Sequence, residues 1–340
     1  MKLYRPLSGI HAGGKAVAAL LLWGTALCAQ AAGLRTIEIP AQAQAQGQGQ
    51  GQGPAFKALV WSPCAQAAQA LPVGPFVLQG VRDCPLSPGT HPLVLVSHGH
   101  AGSALSHHDT AQALADAGFI VAALNHPGDS ATDMAGSGDM ATLRRRPADV
   151  RRLLDHLLQH ASLAAHIDAR RVGFFGFSRG GFTGLVLAGA RPDFARAGLP
   201  CPDVSAPLCA QMRDPRSATG PWVADGRFKA LVIADPLNAF PGPQSLAGVR
   251  APLQLWSSQW GGDGVLPEQV AALARYLPVR AQVQVVEGAA HFAFLAPCPQ
   301  ALAQAQPDIC NDRPGFSRAI FHQAFNAQVL AFLRQHLALH

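Results

Sequence analysis

Three features are missing from this sequence of 340 residues, and each absence argues against a class of protein. No apolar run beyond the first thirty residues approaches the roughly 20 residues that a transmembrane helix needs, so no stable membrane span is predicted. No CxxC spacing occurs among the seven cysteines, which argues against a structural zinc site. Lys and Arg cluster poorly despite a net charge of +6, so we expect no nucleic-acid partner.

The first thirty or so residues have the pattern of an export signal. Scattered positive charge precedes an apolar run over residues 16–27, and a small-x-small triplet follows at 29–31. The sequence therefore predicts a signal peptide over residues 1–31, cleaved after Ala31, in a protein that is periplasmic or secreted. An uncleaved amphipathic anchor is the alternative.

The cysteines support export independently. Six follow the predicted leader, and an even number in an oxidising compartment favours disulfides. They form three couples that are close in sequence, so local pairing is the simplest choice, with buried free thiols as the alternative. The predicted pairs are Cys64–Cys84, Cys201–Cys209 and Cys298–Cys310.

The remainder of the chain divides into a linker and one domain. Residues 32–54, which include the low-complexity tract AQAQAQGQGQGQGP at 41–54, predict a linker because the tract has almost nothing apolar to bury. Residues 55–340 alternate β-rich runs with helical stretches, the pattern of a mostly parallel sheet with helices on both faces. Helical periodicity marks 148–160 and 321–337. The predicted strands are 56–61, 76–81, 93–96, 119–124, 171–175, 230–233, 253–256 and 282–286.

Residues 190–228 interrupt this alternation. The segment contains several prolines and two cysteines, and its apolar residues have no clear period. Loops of this length without regular structure are uncommon unless they are functional or disordered. The sequence predicts an inserted cap that lies near the substrate.

The strongest chemical signal is G-x-S-x-G at residues 176–180, between a predicted strand and a predicted helix. A serine hydroxyl is a poor nucleophile unless a base removes its proton and its side chain is held clear of the backbone. A sharp strand-to-helix turn meets the second requirement, and Gly176 and Gly180 leave room for that turn. Ser178 is therefore the predicted nucleophile, and a structural tight turn is the alternative.

Two later segments and one earlier loop complete the predicted site. The loop at 97–100 follows a predicted strand, so the N–H groups of His100 and Arg179 are the predicted oxyanion hole. His291, after the last predicted strand, is the predicted general base. Its acid partner is Asp263 or Asp235, and we prefer Asp263 because the loop after the penultimate strand is the commoner place.

Several segments together resemble a known family. SHGHAGS, RRRPADVRRLLDHL, GFSRGG, the DGVLP stretch and AHFAFLAPC are similar to segments of the predicted dienelactone hydrolases. That branch of the α/β-hydrolases is also similar to platelet-activating-factor acetylhydrolases and polyester-degrading hydrolases. The resemblance covers roughly residues 56–338 and implies an α/β-hydrolase fold with an eight-stranded sheet, a metal-free triad and ester cleavage.

The resemblance also implies roles for individual residues. It implies Ser178 as nucleophile, His291 as base and the N–H groups of His100 and Arg179 as oxyanion hole. Relatives like the acetylhydrolases take the acid from the earlier strand, which favours Asp235, and those like the polyester hydrolases take it from the later strand. Dienelactone hydrolases use a cysteine nucleophile, so the serine here counts against a dienelactone substrate.

The sequence thus predicts a serine hydrolase acting on a small-molecule or lipid ester. We expect no metal and no cofactor, because the histidines near residue 100 have no carboxylate or cysteine ligand at a supporting spacing. An inactive binding protein with the same fold is one alternative, and an amide or thioester hydrolase is another. The sequence makes no prediction about oligomeric state.

Overall fold

A computed structural model describes residues 31–42, 53–200, 207–214, 216 and 222–338. Ten strands within these ranges form one sheet. They are β1 (Ala31–Ile39), β2 (Phe56–Cys64), β3 (Gln69–Val73), β4 (Phe76–Arg82), β5 (His91–Ser97), β6 (Ile120–Leu124), β7 (Ile167–Phe177), β8 (Phe228–Ala234), β9 (Leu253–Ser258) and β10 (Gln282–Val286).

The strand order across the sheet is β10-β9-β8-β7-β5-β6-β2-β1-β4-β3. Strands β5 to β10 are mutually parallel, so their carboxyl ends meet at one edge of the sheet. β2 is antiparallel to β6, and β1 is antiparallel to β2. Strands β5, β6 and β8 are apolar almost throughout and nearly fully buried, as expected where helices cover both faces.

Helices cover the sheet on its two faces. The described helices are α1 (His108–Asp116), α2 (Met140–Gln159), α3 (Arg179–Leu187), α4 (Pro207–Arg213), α5 (Pro243–Leu246), α6 (Pro267–Tyr276), α7 (Gln300–Ala305), α8 (Pro307–Cys310) and α9 (Arg318–His336). Apolar residues of α2, α3 and α6 pack on one face of the sheet, and those of α1 and α9 pack on the other. This arrangement confirms the predicted α/β-hydrolase fold, with ten described strands in place of eight.

Strand β1 contradicts part of the predicted linker. The linker was expected to begin at residue 32, yet Ala31–Ile39 pairs with β2 along its whole length. Its buried residues include Leu34, Ile37 and Ile39, which pack into the core. For the Gln-rich tract the linker stays a prediction, because most of that tract (residues 43–52) lies outside the described residues. Residues 1–30 of the predicted signal peptide lie outside them as well.

Both predicted helices are present, with different bounds. The helix predicted at 148–160 begins earlier, at Met140, where the Asp139 side chain accepts a hydrogen bond from the Ala141 N–H. Pro147 lies inside it, and this residue obscures the helical pattern of the first two turns. The C-terminal helix, predicted at 321–337, begins at Arg318 after the capping residue Ser317. Strand β3 was not predicted, because it is a half-exposed edge strand with little apolar pattern.

Two of the predicted disulfides are formed. Cys64–Cys84 joins the end of β2 to the residues after β4, and Cys298–Cys310 closes the segment that contains α7 and α8. Cys209 is also disulfide-bonded, and its predicted partner Cys201 lies outside the described residues. No helix in the described ranges is long and apolar enough to cross a bilayer.

Candidate active site

Ser178 stands at the sharp turn between β7 and α3. Its backbone has φ 56° and ψ −118°, a conformation that is uncommon for a residue with a side chain and that occurs at strained functional turns. The Ser178 N–H donates to Ala234 O over 3.0 Å, and Ser178 O accepts from the Leu237 N–H over 3.1 Å. The turn is therefore attached to the chain on either side of Asp235.

Glycine is required on both sides of Ser178. A Cβ atom at Gly176 would collide with Gly180 O, and one at Gly180 would collide with Ser97 O. Both obstacles are backbone atoms of the strands and helix that form the turn, so neither can move aside. This close approach is the physical reason for the G-x-S-x-G spacing.

His291 is held by Asp235. His291 begins a short 3-10 turn, His291–Phe294, after β10, and its Nδ1 lies 3.1 Å from Asp235 Oδ2. Asp235 also accepts from the Ser258 N–H over 2.7 Å and from the Ser258 hydroxyl over 2.5 Å, so its orientation is fixed. Asp235 and His291 are both buried. His291 Nε2 is buried without a hydrogen-bond partner among the described residues, which leaves this nitrogen to exchange a proton.

The pairing with Asp235 corrects the expected preference for Asp263. Asp263 lies at the exposed tip of a tight turn closed between Gly262 and Val265. The chain leaves the sheet there with positive φ at four successive residues, 261–264, so Asp263 is carried outward. Asp235 directly follows β8, next to Ser258 at the end of β9, and therefore stays within the sheet edge. Gly261 O still accepts from the His291 N–H over 2.8 Å, so the Asp263 loop contacts His291 only through the backbone.

The loop after β5 packs against Ser178. An added Cβ at Gly99 would lie 3.1 Å from the Ser178 Cβ and from the Phe177 ring. His98 fixes this loop, because its Nδ1 donates to Gly99 O and its Nε2 accepts from the His126 N–H. Burial and the charge of Arg146 lower the pKa of His98 to about 3, so the ring is neutral at pH 7. The next residue, His100, lines the cavity beside Ser178.

The Arg179 side chain is held by Asp129 and Ser137, while its backbone N–H lies at the start of α3. Arg179 is the first residue of α3, where N–H groups lack intrahelical partners. Its guanidinium donates to Asp129 Oδ1 and to Ser137 O, each over 3.0 Å. Burial alone would raise the pKa of Asp129, but the charges of Arg146 and Arg179 outweigh it and lower that pKa. The Asp129 carboxylate is thus shared by two guanidiniums beside the site, those of Arg179 and Arg146.

A buried polar network beneath the site was not predicted. Ser97 Oγ lies 2.8 Å from His126 Nε2, and His126 Nδ1 lies 3.2 Å from Asp149 Oδ2. These three side chains repeat the hydrogen-bond order of a catalytic triad, yet each is at most 1% exposed and none lines the cavity beside Ser178. The signal for this network was the charged helix segment RRRPADVRR, whose Arg146 side chain is fully buried.

Arg146 connects the network to the loop after β5. Its guanidinium pairs with Asp129 over 2.6 Å and also donates to His98 O. The two ring nitrogens of His98 are both used in protein hydrogen bonds, so His98 has no free nitrogen for a metal. The described residues contain no group of three or more His, Cys, Asp or Glu side chains that could hold a metal ion.

A cavity of about 870 Å³ opens beside Ser178. Its lining comes from the loop at 99–106, the turn between β3 and β4, Asp263, and the chain after His291. The predicted cap, 190–228, contributes none of its described residues to this lining. Phe194 and Trp222 instead pack around Phe182 of α3, so aromatic burial draws the described part of the segment to a helical face of the sheet.

Known proteins resemble this chain in sequence and in fold. Residues 89–224 match the family "Serine aminopeptidase, S33". A protein of Nocardia uniformis subsp. tsuyamanensis named "Putative esterase NocK" is 35% identical over 167 residues, which are 46% of this chain and 44% of that protein. The matched segment thus spans less than half of the relative's length.

The structural comparison covers nearly the whole molecule. A ferulic acid esterase from Streptomyces cinnamoneus aligns over 90% of both chains with a TM-score of 0.61 and 19% sequence identity. An identity this low supports a common fold and no more. The sheet order, the turn at Ser178 and these similarities together show that the chain has an α/β-hydrolase fold.

Proposed function

We propose that the protein is a serine hydrolase that cleaves carboxylic esters through an acyl-enzyme intermediate. Ser178 attacks the ester carbonyl, and His291 takes the hydroxyl proton through Nε2 and returns it to the leaving alcohol. Asp235 keeps the other nitrogen of His291 protonated and stabilises the imidazolium. Water then attacks the acyl-enzyme by the same route and releases the acid. The backbone N–H groups of His100 and Arg179 stabilise the oxyanion, at about 3 kcal/mol for each donor in comparable sites.

One observation carries this proposal. The His291 ring is bound to Asp235 through Nδ1, while its Nε2 is buried and unpartnered within the described residues. Burying a ring nitrogen without a hydrogen-bond partner costs free energy, and a role in proton transfer accounts for its retention here. The ring of Phe177, the residue before Ser178, lies 4.6 Å from the His291 ring, so the Ser178 turn and His291 lie at the same edge of the sheet. Ester cleavage also fits the names of the relative from Nocardia and of the structural neighbour.

Replacement of Ser178 tests the reaction directly. We expect the wild-type protein to hydrolyse nitrophenyl butyrate and to be labelled by a fluorophosphonate, and Ser178→Ala to lose both activities. The control is Ser257→Ala, which removes a different buried serine hydroxyl. That hydroxyl donates to Ser258 O and lies outside the proposed triad. Equal turnover by wild type and Ser178→Ala would contradict the assignment. Absence of both turnover and labelling in wild type would favour a binding protein.

The family match raises a second reaction. Its description names aminopeptidases, and an amide passes through the same kind of intermediate as an ester. We expect an aminoacyl nitroanilide to be a much poorer substrate than the nitrophenyl ester. Faster turnover of the anilide would make the protein a peptidase.

We also propose that the protein is exported and that it is similar in function to the dienelactone hydrolase-like branch of the α/β-hydrolases. The two disulfides and the predicted signal peptide over residues 1–31, with its apolar run at 16–27, favour an oxidising compartment, either the periplasm or the medium. N-terminal sequencing of the protein recovered from its native host tests cleavage after Ala31.

A further inference from the structure

The cavity beside Ser178 is far larger than the reacting atoms of an ester require. Its volume of about 870 Å³ falls in the range that encloses drug-sized ligands. A short acyl group such as acetyl would leave most of this space filled with water. The cavity therefore has room for a large group attached to the ester.

The lining of the cavity is mainly apolar. Lys57 and Asp263 are the only Lys, Arg, Asp or Glu residues among the described lining residues. Burial, followed by the charge of Arg179, lowers the pKa of His100, which also lines the cavity. Desolvating a charged substrate group against such a wall would be costly. The apolar lining includes Phe76, Leu105, Phe292, Leu295, Leu302 and Ile309.

A disulfide holds one wall of the cavity. Cys298, Cys310 and the side chains of Leu302 and Ile309 between them all line it. Helices α7 and α8 have six and four residues, too short to be stable by themselves. The disulfide and the hydrogen bond from Arg318 to Ile309 O, at 2.8 Å, therefore keep this wall in place.

We propose that this disulfide-held wall binds a large, uncharged apolar group of the ester, on the order of eight carbons or more. The inference rests on the proposed function and adds the substrate class to it. Each buried methylene contributes about 0.8 kcal/mol, close to fourfold in affinity, so a long chain gains strongly over acetate.

Substitutions in the wall test the substrate class. For wild type we expect kcat/KM to be at least about tenfold higher for nitrophenyl decanoate than for nitrophenyl acetate. Leu302→Asp should remove that preference, because it places a carboxylate in the wall that contacts the decanoyl chain. Val285→Asp, at an exposed residue of β10 outside the cavity, is the matched control and should keep the preference. Equal kcat/KM values for the two esters in wild type would overturn the proposal.

Two further measurements separate this proposal from ester cleavage itself. Decyl acetate places the chain on the alcohol side, so comparison with nitrophenyl decanoate identifies which side of the ester the cavity binds. Nitrophenyl decyl ether cannot be cleaved, and calorimetry should show binding to wild type that weakens at least about tenfold in Leu302→Asp. Ether binding without any ester turnover would reject the proposed function alone, and turnover without ether binding would reject this inference alone.

A second inference comes from the turn that carries His291. Two other histidines hold its carbonyl groups: His322 Nε2 lies 2.9 Å from Ala293 O, and His107 Nδ1 lies 3.1 Å from Phe294 O. His322 belongs to α9 and His107 immediately precedes α1, so the turn is attached to both helices on this face of the sheet.

The hydrogen bonds of His322 require a protonated ring. Its Nδ1 lies 2.5 Å from Asp109 Oδ2, and its Nε2 contacts a backbone carbonyl. Burial would raise the pKa of Asp109, but the hydrogen bond and charge of His322 prevail and lower it to about 2. A carboxylate and a carbonyl can only accept, so both ring nitrogens must donate. The buried His322 is then an imidazolium whose charge Asp109 balances.

We infer that His322 is a positioning residue that holds the His291 turn through this doubly donating ring. Its removal would free Ala293 O and allow His291 to drift from the geometry that proton transfer needs. The inference rests on the proposed role of His291. The other titratable groups near it are His107 and His108 at the start of α1 and, one helical turn back on α9, Arg318 with its partner Asp312.

Nitrogen NMR of the ring tests the protonation state independently of activity. At pH 7.5 both nitrogens of His322 should carry hydrogens in wild type. Asp109→Asn should make the ring neutral, because an amide can donate to Nδ1, while the bond to Ala293 O remains. A neutral His322 in the wild-type protein would overturn the inference.

Kinetics test the positioning role. His322→Leu should lower kcat about tenfold and leave KM within about twofold, because leucine cannot donate to Ala293 O and the substrate cavity is unchanged. Asp109→Asn should keep most of the activity, since it preserves the bond to the turn. An unchanged kcat in His322→Leu, with the fold intact by circular dichroism, would reject the role. Absence of turnover in wild type would reject the proposed function and leave the NMR result valid.

Discussion

At the scale of single residues, the site depends on which aspartate meets His291. Asp235 and Asp263 both follow parallel strands and both precede His291 in the chain. Of the two, only Asp235 has its carboxylate within hydrogen-bond distance of the His291 ring, and it accepts two further hydrogen bonds from Ser258. A buried carboxylate with three donors is fixed in orientation, whereas the exposed Asp263 has no comparable restraint.

The difference between the two aspartates leads to a direct comparison. We expect Asp235→Asn to lower kcat by about three to four orders of magnitude, because an amide no longer favours the productive tautomer of His291. Asp263→Asn should change kcat only a few fold. Rates of nitrophenyl ester hydrolysis at pH 7.5 measure both effects. If Asp263→Asn were the more damaging change, the acid would lie in the later loop.

At the scale of secondary-structure elements, α2 does more than cover the sheet. It brings Arg146 into the core, where the guanidinium pairs with Asp129 and donates to His98 O. The helix thereby links the loop after β5 to the residues around Arg179, which shares Asp129. This role explains why a helix that packs on the sheet has arginines where an apolar residue would ordinarily be buried.

Removing the buried arginine should destabilise the protein. We expect Arg146→Met to lower the free energy of unfolding by about 3 kcal/mol, because Asp129 loses one of its two buried partners. Arg170→Ala, which removes an exposed guanidinium paired with Asp168, is the control and should leave the urea midpoint nearly unchanged. Urea unfolding followed by tryptophan fluorescence gives both values. Equal midpoints for wild type and Arg146→Met would show that α2 is held by apolar packing alone.

At the scale of the whole molecule, burial of neutral histidines makes stability depend on pH. Burial, partly offset by the charge of Asp109, lowers the pKa of His107 to about 3, and burial with Arg146 does the same for His98. Between pH 3 and 6.5 the unfolded chain therefore binds protons on these residues that the folded chain does not bind. Stability rises with pH across this window and falls as acid is added.

A histidine replacement isolates this contribution. We expect His107→Gln to reduce the slope of unfolding free energy against pH by up to about 1.4 kcal/mol per pH unit between pH 4.5 and 6. Glutamine can still donate to Phe294 O, so the native contact survives. Urea titrations at four pH values measure the slope. The Asp109 carboxylate, with a pKa of about 2, changes the unfolding free energy mainly below this pH range. An unchanged slope in His107→Gln would mean that His107 is already protonated in the folded state.

The sequence by itself determined the class of fold, the turn at Ser178 and the position of His291 at the sheet edge. These features leave local patterns in the sequence: apolar runs become buried parallel strands, and Gly176, Ser178 and Gly180 mark one sharp turn between a strand and a helix. The sequence also predicted two disulfides correctly, Cys64–Cys84 and Cys298–Cys310, because the partners are close in the chain.

Only the tertiary structure decided the contacts between distant segments. His291 is 56 residues from Asp235 and meets it because β8 and β10 end at the same edge, while the chain after β9 turns Asp263 outward. β1 joins the sheet because it pairs with β2 and buries its apolar residues there, and the composition of the segment did not predict this pairing. The contact of His322 with Asp109, 213 residues apart, and the cavity wall at 298–310 likewise exist only when separate helices are packed together. Local sequence patterns specify turns and strands, and the packing of the whole chain specifies which side chains meet.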